Sequence, residues 1–269
     1  MINFNAEKAK RDLTQWLYDW FETNGKGCNA VVGISGGKDS TVVAALCCAA
    51  LGKDRVIGVK MPCGIQSDIK DSDKVINFLG IKSYEINIRV AVDDILARLH
   101  YSNIDITEQT RINLAPRIRM STLYAISQSL NGRVVGTDNA SESYVGYSTR
   151  WGDNVADVMP ILNFTSDEVI AIGNALGLPY ELTHKTPSDG LCGKTDEDNF
   201  GFTYAVLNKY IRTGICEDAE VKERIDVMHQ KNLFKLQPIQ SFVPTSLYDD
   251  WGFETCNDVL DIKESEDDE

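Results

Sequence analysis

Apolar positions along the chain follow two alternating periods. Between Asn5 and Thr23, Leu13, Trp16, Leu17, Trp20 and Phe21 recur at helical spacing, which predicts an amphipathic helix closed by Asn24-Gly25. Ala30–Ile34 is a short unbroken apolar run, as in a strand covered on both faces. The same alternation continues downstream. Arg55–Lys60, Tyr84–Ile88 and Arg133–Gly136 read as strands, and Thr41–Leu51, Asp68–Leu79, Val90–His100 and Thr107–Leu130 as helices, with Gly52 and Gly80 closing the first two of these. Strands regularly separated by helices predict an α/β fold, a doubly wound parallel sheet. Beyond Thr137 the periodicity fails. Asn139–Pro160 reads as a polar, aromatic loop of the kind that carries function, and Thr183–Asp198 as a Gly/Pro/Ser/Asp loop. Ser166–Leu176, Phe202–Thr213 and Asp218–Asn232 read as a helical C-terminal extension. No repeat or linker interrupts residues 1–269, so one domain is the economical reading, with a frayed acidic tail over 263–269.

Charge narrows the partners. The formal net charge is −13, which disfavours a nucleic-acid backbone as ligand and requires any small anion to find locally concentrated cations. No apolar stretch is long enough for a membrane span, and Met1–Lys10 lacks the apolar core of a signal peptide. The seven cysteines (Cys28, Cys47, Cys48, Cys63, Cys192, Cys216, Cys256) show no C-x-x-C spacing, and His100, His184 and His229 lie far apart. Core packing of reduced thiols in a cytoplasmic protein fits better than zinc or disulfides.

The strongest local chemistry is Gly33-Ile34-Ser35-Gly36-Gly37-Lys38-Asp39-Ser40, set between the first strand and its helix. Glycines let backbone approach a phosphate, and unpaired amides at a helix start add a favourable dipole. Ser35 and Ser40 supply hydroxyls and Lys38 a positive charge, while Asp39 beside phosphate makes sense as a magnesium ligand. A Walker A loop is excluded, since Gly37-Lys38 would need Gly at Val32 and Ser or Thr at Asp39. Gly25–Ala30 matches G-x-G-x-x-A but precedes the strand, the wrong side for a dinucleotide turn. Asp39 and Glu142 follow the first and fourth predicted strands, whose ends adjoin if the sheet order reverses beside the first. Taken singly, Glu142 reads as a solvated carboxylate, Arg117 and Arg119 as helix surface charges, and Trp16, Trp20 and Phe21 as core or a subunit seam.

The loop resembles the signature of N-type ATP pyrophosphatases, which cleave ATP between the α and β phosphates. Asn113–Met120 is similar to the N-x-x-A-R-x-R-M helix of ammonia-dependent NAD synthetases, Gly136–Glu142 to their G-T-x-x-x-x-E motif, and Lys185–Ser188 to their K-x-P-[ST] loop. The resemblance implies an adenine-nucleotide hydrolase-like, Rossmann-like fold and a ligase of NAD biosynthesis. Such an enzyme amidates deamido-NAD with ammonia through an adenylated carboxylate, releasing NAD, AMP and pyrophosphate. It further implies that Gly33–Ser40, Thr137, Ser166 and Ser188 contact ATP. Asp39 and Glu142 would bind magnesium, with Lys38, Asp39 and Glu142 catalytic. Arg117, Arg150, Asp157 and Lys235 would contact deamido-NAD, in a cytoplasmic homodimer. Four positions depart from the family pattern: Arg150 stands where many relatives carry Lys, Ser166 where several carry Lys, Phe234 where His precedes the late Lys, and Pro116 where Ala precedes Arg117. The synthetase segments account for the whole chain, so no glutaminase domain and use of free ammonia are expected. A tRNA-modifying pyrophosphatase and a nucleotide sensor without chemistry stay open as alternatives.

Overall fold

The computed structural model describes residues 4–66, 69–184 and 196–240. The Asn5 side chain accepts from the Lys8 amide at 2.9 Å and starts α1 (Ala6–Asn24), which buries Leu13, Leu17 and Phe21. Trp20 packs edge-on against Phe21, whereas Trp16 is about half exposed. β1 (Asn29–Gly33) follows, then α2 (Lys38–Leu51) and β2 (Val56–Lys60). α2 begins three residues before the predicted Thr41, so the phosphate-loop signature ends inside its first turn.

α3 (Ile69–Leu79) leads into β3 (Lys82–Glu85), which lies earlier than the predicted Tyr84–Ile88. The apolar residues Ile86 and Ile88 drew that expectation; their amides continue the hydrogen bonding to Lys60 and Pro62 carbonyls at 2.9 Å beyond the strand proper. α4 (Arg89–Tyr101) and α5 (Glu108–Ser129) precede β4 (Gly132–Val135). The four strands are all parallel in the order β3-β2-β1-β4, so the chain winds one way from β1 through β3 and then returns to β4 on the other side of β1. The crevice at the carboxyl ends of β1 and β4 is therefore the topological switch point.

The predicted loop Asn139–Pro160 contains a helix, α6 (Ala140–Val145), and this corrects the reading of that stretch. Six residues are too few for a period to show. α7 (Ser166–Ala175) carries a capping box between Thr165 and Glu168. α8 (Tyr180–Thr183) and α9 (Asp196–Phe200) occupy both ends of the predicted loop Thr183–Asp198, and its centre lies outside the described residues. α10 (Tyr204–Thr213) and α11 (Ala219–Asn232) complete the extension. Residues up to Lys235 form one compact unit; the described residues beyond it, Leu236–Gln240, belong to a second and carry no helix or strand.

Alternation along β1 sorts its side chains between two cores. Ala30 and Val32 join Leu17, Phe21, Val43, Leu46 and Ile172 from α1, α2 and α7, whereas Val31 joins Ile57, Val134, Met120 and Leu123 on the α5 side. Cys47 lies fully buried in the first core, where desolvation pushes its thiol pKa up. A third core, built from Val145, Phe200, Phe202, Tyr204, Leu207 and Ile225, fastens α6, α9, α10 and α11 together. No helix among the described residues is long and apolar enough to cross a membrane.

Candidate active site

The chain leaves β1 at Gly33 and turns through Ile34, Ser35, Gly36 and Gly37 into α2. Gly36 has φ +79, and a Cβ there would stand 2.7 Å from the Ser72 amide nitrogen and 2.8 Å from the Asp71 carbonyl carbon. Only glycine satisfies both the left-handed backbone and the close approach of α3. Ser72 Oγ donates to the Ile34 carbonyl at 2.9 Å and fixes α3 to the turn. Gly37 is the N-cap of α2 and brings no side chain to cap it, so the first-turn amides depend on a partner from outside the helix. Within the turn, Ser35 Oγ accepts from the Gly37 amide at 3.2 Å and lies 3.1 Å from Ser40 Oγ. Thr41 Oγ1 donates to the Gly37 carbonyl at 2.7 Å. The result is an uncapped helix N-terminus beside two hydroxyls, an arrangement that suits an anion.

Lys38 is buried, its Nζ 2.8 Å from Asp39 Oδ2 and 5.7 Å from the Tyr204 ring centroid. Asp39 Oδ1 accepts from Asn139 Nδ2 at 3.1 Å. The other end of the same Asn139 side chain accepts from the amides of Ser141 at 2.9 Å and Glu142 at 3.1 Å, so it caps α6. One fully buried amide thus ties the first turn of α2, beyond β1, to the first turn of α6, beyond β4, where the half-buried Glu142 sits. Sequence reasoning gave Asn139 no role, although an Asn three residues before Glu142 is a helix-start signal.

Next to it, Asp138 is 4% exposed, and its Oδ2 has no hydrogen-bond partner among the described residues. Burial pushes its pKa well above the usual carboxylate range, and the negative charges of Asp153 and Asp39 push it further. Asp153 accepts from the Thr149 amide at 2.8 Å; burial raises its pKa, while that hydrogen bonding and Lys235 oppose the rise. The crevice therefore gathers carboxylate oxygens, hard donors suited to a divalent cation. Among the described residues no three acidic, His or Cys side chains form a metal cage by themselves, so a cation here would complete its shell with phosphate and water.

The remaining sequence-derived residues fall into separate settings. Thr137 is half-buried, two residues past the end of β4. Ser166 is buried at the start of α7, where its Oγ accepts from Asn208 at 3.1 Å and its amide donates to Ser141 Oγ at 2.9 Å. Ser188 lies outside the described residues. Arg117 is exposed on α5 and donates to the Arg150 carbonyl at 3.2 Å. Arg119, two residues on, is instead half-buried and donates to the Met61 carbonyl at 3.1 Å, which corrects its reading as a surface charge. Asp157 accepts from the Val134 amide at 2.7 Å and from Tyr124 Oη at 3.3 Å, bound into the segment that pairs alongside β4. Lys235 donates to the Gly146 and Ser148 carbonyls at 2.7 and 2.9 Å, and burial lowers its pKa. Arg117, Arg150 and Lys235 are brought together around residues 146–151; Asp157 and Ser166 face structural partners instead.

Comparison with known proteins gives this geometry a lineage. The family model described as NAD synthase matches residues 10–246. The chain is 36% identical to an NH3-dependent NAD+ synthetase of Pyrococcus furiosus, over 87% of this chain and 92% of that protein. It is 41% identical to one of Thermococcus sibiricus, over 71% and 73%. Among solved structures, an NMN synthetase from Francisella tularensis superposes with a TM-score of 0.82 at 32% identity, covering 89% of this chain and 99% of that one. The NH3-dependent NAD synthetase of Campylobacter jejuni gives 0.73 at 28% identity, covering 89% and 100%. With its parallel sheet, its Gly36 turn and a family match over most of its length, this chain belongs to the NAD synthase family.

Proposed function

We propose that this chain joins ammonia to the pyridine carboxylate of deamido-NAD, with ATP as co-substrate, through an adenylated carboxylate that yields NAD, AMP and pyrophosphate. A free carboxylate resists nucleophiles because of its charge and its poor leaving group; adenylation removes both obstacles. The chain's task is then binding, charge neutralisation and alignment. The carrying observation is the Asn139 bridge, which joins Asp39 beside the Gly36 turn to Glu142 on α6.

In this reading the amides and hydroxyls of Gly33–Ser40 hold the ATP phosphates, and Thr137 and Ser188 contact ATP. Lys38 sits beside the pyrophosphate that departs. Asp39 and Glu142 would hold magnesium, which would supply charge neutralisation on the phosphates; their oxygen chemistry fits a hard ion. Arg117, Arg150 and Lys235 bind the acceptor nucleotide, and Asp157 orders the segment beside it. Ser166, held by Asn208 and Ser141, shapes the floor of the site. Free ammonia is the nitrogen source, and the working form is a cytoplasmic homodimer.

The likeness to the Francisella NMN synthetase favours one specific second reading, in which the acceptor is the nicotinate mononucleotide. Both acceptors carry the same carboxylate and differ in the adenylyl half. Competition decides: with both present at equal concentration, ATP and ammonium, the chain forms NAD faster than NMN. Preferential NMN formation would transfer the assignment to the mononucleotide.

A further inference from the structure

The segment that carries Arg150 is seated from two sides. On the α5 side, Thr149 Oγ1 donates to Asn113 at 3.1 Å and Arg117 donates to the Arg150 carbonyl. A Cβ at Gly152 would come within 2.9 Å of the Pro116 ring, so the segment lies directly on that proline. On the α11 side, Asn232 donates to the Val145 carbonyl at 3.1 Å and Lys235 holds Gly146 and Ser148. At the top of this seat, the guanidinium carbon of Arg150 lies 4.9 Å from the Trp151 ring centroid and 5.1 Å from that of Phe234. Both rings are half exposed, and among the described residues neither has an aromatic ring partner. Trp151 also has φ +63, a left-handed backbone that bulky residues avoid, so its ring is directed at some conformational cost. No carboxylate among the described residues pairs with Arg150, so aromatic faces and not a counter-charge hold it.

We propose that Trp151 and Phe234 are positioning residues that fix the Arg150 guanidinium over their rings, so that its in-plane N–H groups receive a phosphate of the acceptor pyridine nucleotide. The inference rests on the proposed function above. Chemistry explains the choice of side chain. A guanidinium stacks through its face and still donates in its plane, whereas a lysine ammonium has no face to stack. Arg150 and Phe234 lie 84 positions apart in the sequence, and the fold brings them into contact. The pair forms one unit, with Phe234 supplying the surface that an arginine uses.

The test is a kinetic cycle on the full chain with R150K, F234L, F234Y and the double R150K/F234L, supported by W151F and W151L. KM for deamido-NAD, KM for ATP, kcat and calorimetric binding of deamido-NAD are measured. F234L and W151L raise KM and Kd for deamido-NAD by roughly three- to tenfold, as loss of a partly exposed cation–π contact implies, and leave KM for ATP unchanged. F234Y and W151F, which keep a ring, restore the wild-type values. In the R150K background F234L adds less than about twofold, because the planar guanidinium face that the ring supports is already gone. Unchanged deamido-NAD binding in F234L, or effects of F234L and R150K that multiply, would overturn the proposal. So would an equal rise in KM for ATP, which a general loss of structure gives. Wild-type chain that neither binds nor amidates deamido-NAD would instead sink the function on which the proposal rests; active wild type with insensitive ring variants sinks the proposal alone.

Discussion

Replacing Asn139 tests the architecture of the crevice at its narrowest point. The side chain is fully buried and makes three hydrogen bonds, two that cap α6 and one that reaches Asp39. Asn139→Ala removes both functions. Loss of an N-cap costs about 1 kcal/mol, and loss of a hydrogen bond to a charged group about 1.5–3 kcal/mol. The sum, about 2.5–4 kcal/mol, corresponds to a fall in Tm of roughly 5–15 °C for a domain of this size. Asn139→Asp separates the two halves. Its carboxylate still caps α6 but brings a second negative charge to about 3 Å from Asp39, which at an effective dielectric near 20 is a repulsion of about 5 kcal/mol. One of the pair then takes up a proton, and its folded pKa rises. A raised carboxylate pKa destabilises above the unfolded value and ceases to do so below it, so the Asp variant loses stability at pH 8 and regains it as pH falls toward 4. Denaturant unfolding of both variants between pH 4 and pH 8, paired with ATP-dependent turnover, measures this. Asn139→Ala within about 0.5 kcal/mol of wild type, or an Asp variant with no pH trend of its own, would refute the bridge.

Three further outcomes follow from single positions. Gly36→Ala meets backbone of Ser72 and Asp71, so left-handed strain of about 1–2 kcal/mol joins an overpacking cost of about 1–3 kcal/mol; KM for ATP rises with it. Gly27→Ala, at φ +74 with nothing within 4 Å of the added Cβ, loses only the strain; equal losses at the two sites, by denaturant unfolding, would contradict the close-approach argument. Asp138→Asn raises Tm at pH 7–8, because the buried carboxylate with its raised pKa is least comfortable when ionised, and the gain shrinks to a small remainder as pH falls to about 4, where the unfolded carboxyl is about half protonated. A gain undiminished at pH 4, or none at pH 8, would show that Asp138 is not held in that state.

The sheet was readable because each strand carries an apolar run and each helix a period: Val31 and Val32 report a strand covered on both faces, and Leu13, Leu17 and Phe21 a helix covered on one. The strand order was not legible: adjacency of the ends of β1 and β4 was conditional on a reversal beside the first strand, and the order β3-β2-β1-β4 meets that condition. Edge strand β3 slipped in the reading because Lys82 and Ser83 pair through backbone alone, which leaves no side-chain signal. α6 was missed because its evidence is a cap and not a period. Asp138, Asp153 and Tyr204 were invisible for a different reason. A carboxylate becomes unusual only when burial and neighbours come from distant segments, and Tyr204 reaches Lys38 from the C-terminal extension. The contact between Arg150 and Phe234 likewise links two positions that look unrelated until the chain folds.

The Gly36 turn and the Asp39–Asn139–Glu142 link are proposed to serve an adenylating amidation, and one time course tests this. Purified protein is incubated with ATP, magnesium, deamido-NAD and ammonium, and NAD, AMP and pyrophosphate are quantified in one time course, with Asp39→Ala alongside. All three products appear in equimolar amounts with the wild-type chain and are lost together in the variant. ADP and phosphate in place of AMP and pyrophosphate, or folded, ATP-binding protein that forms no NAD, would contradict that role.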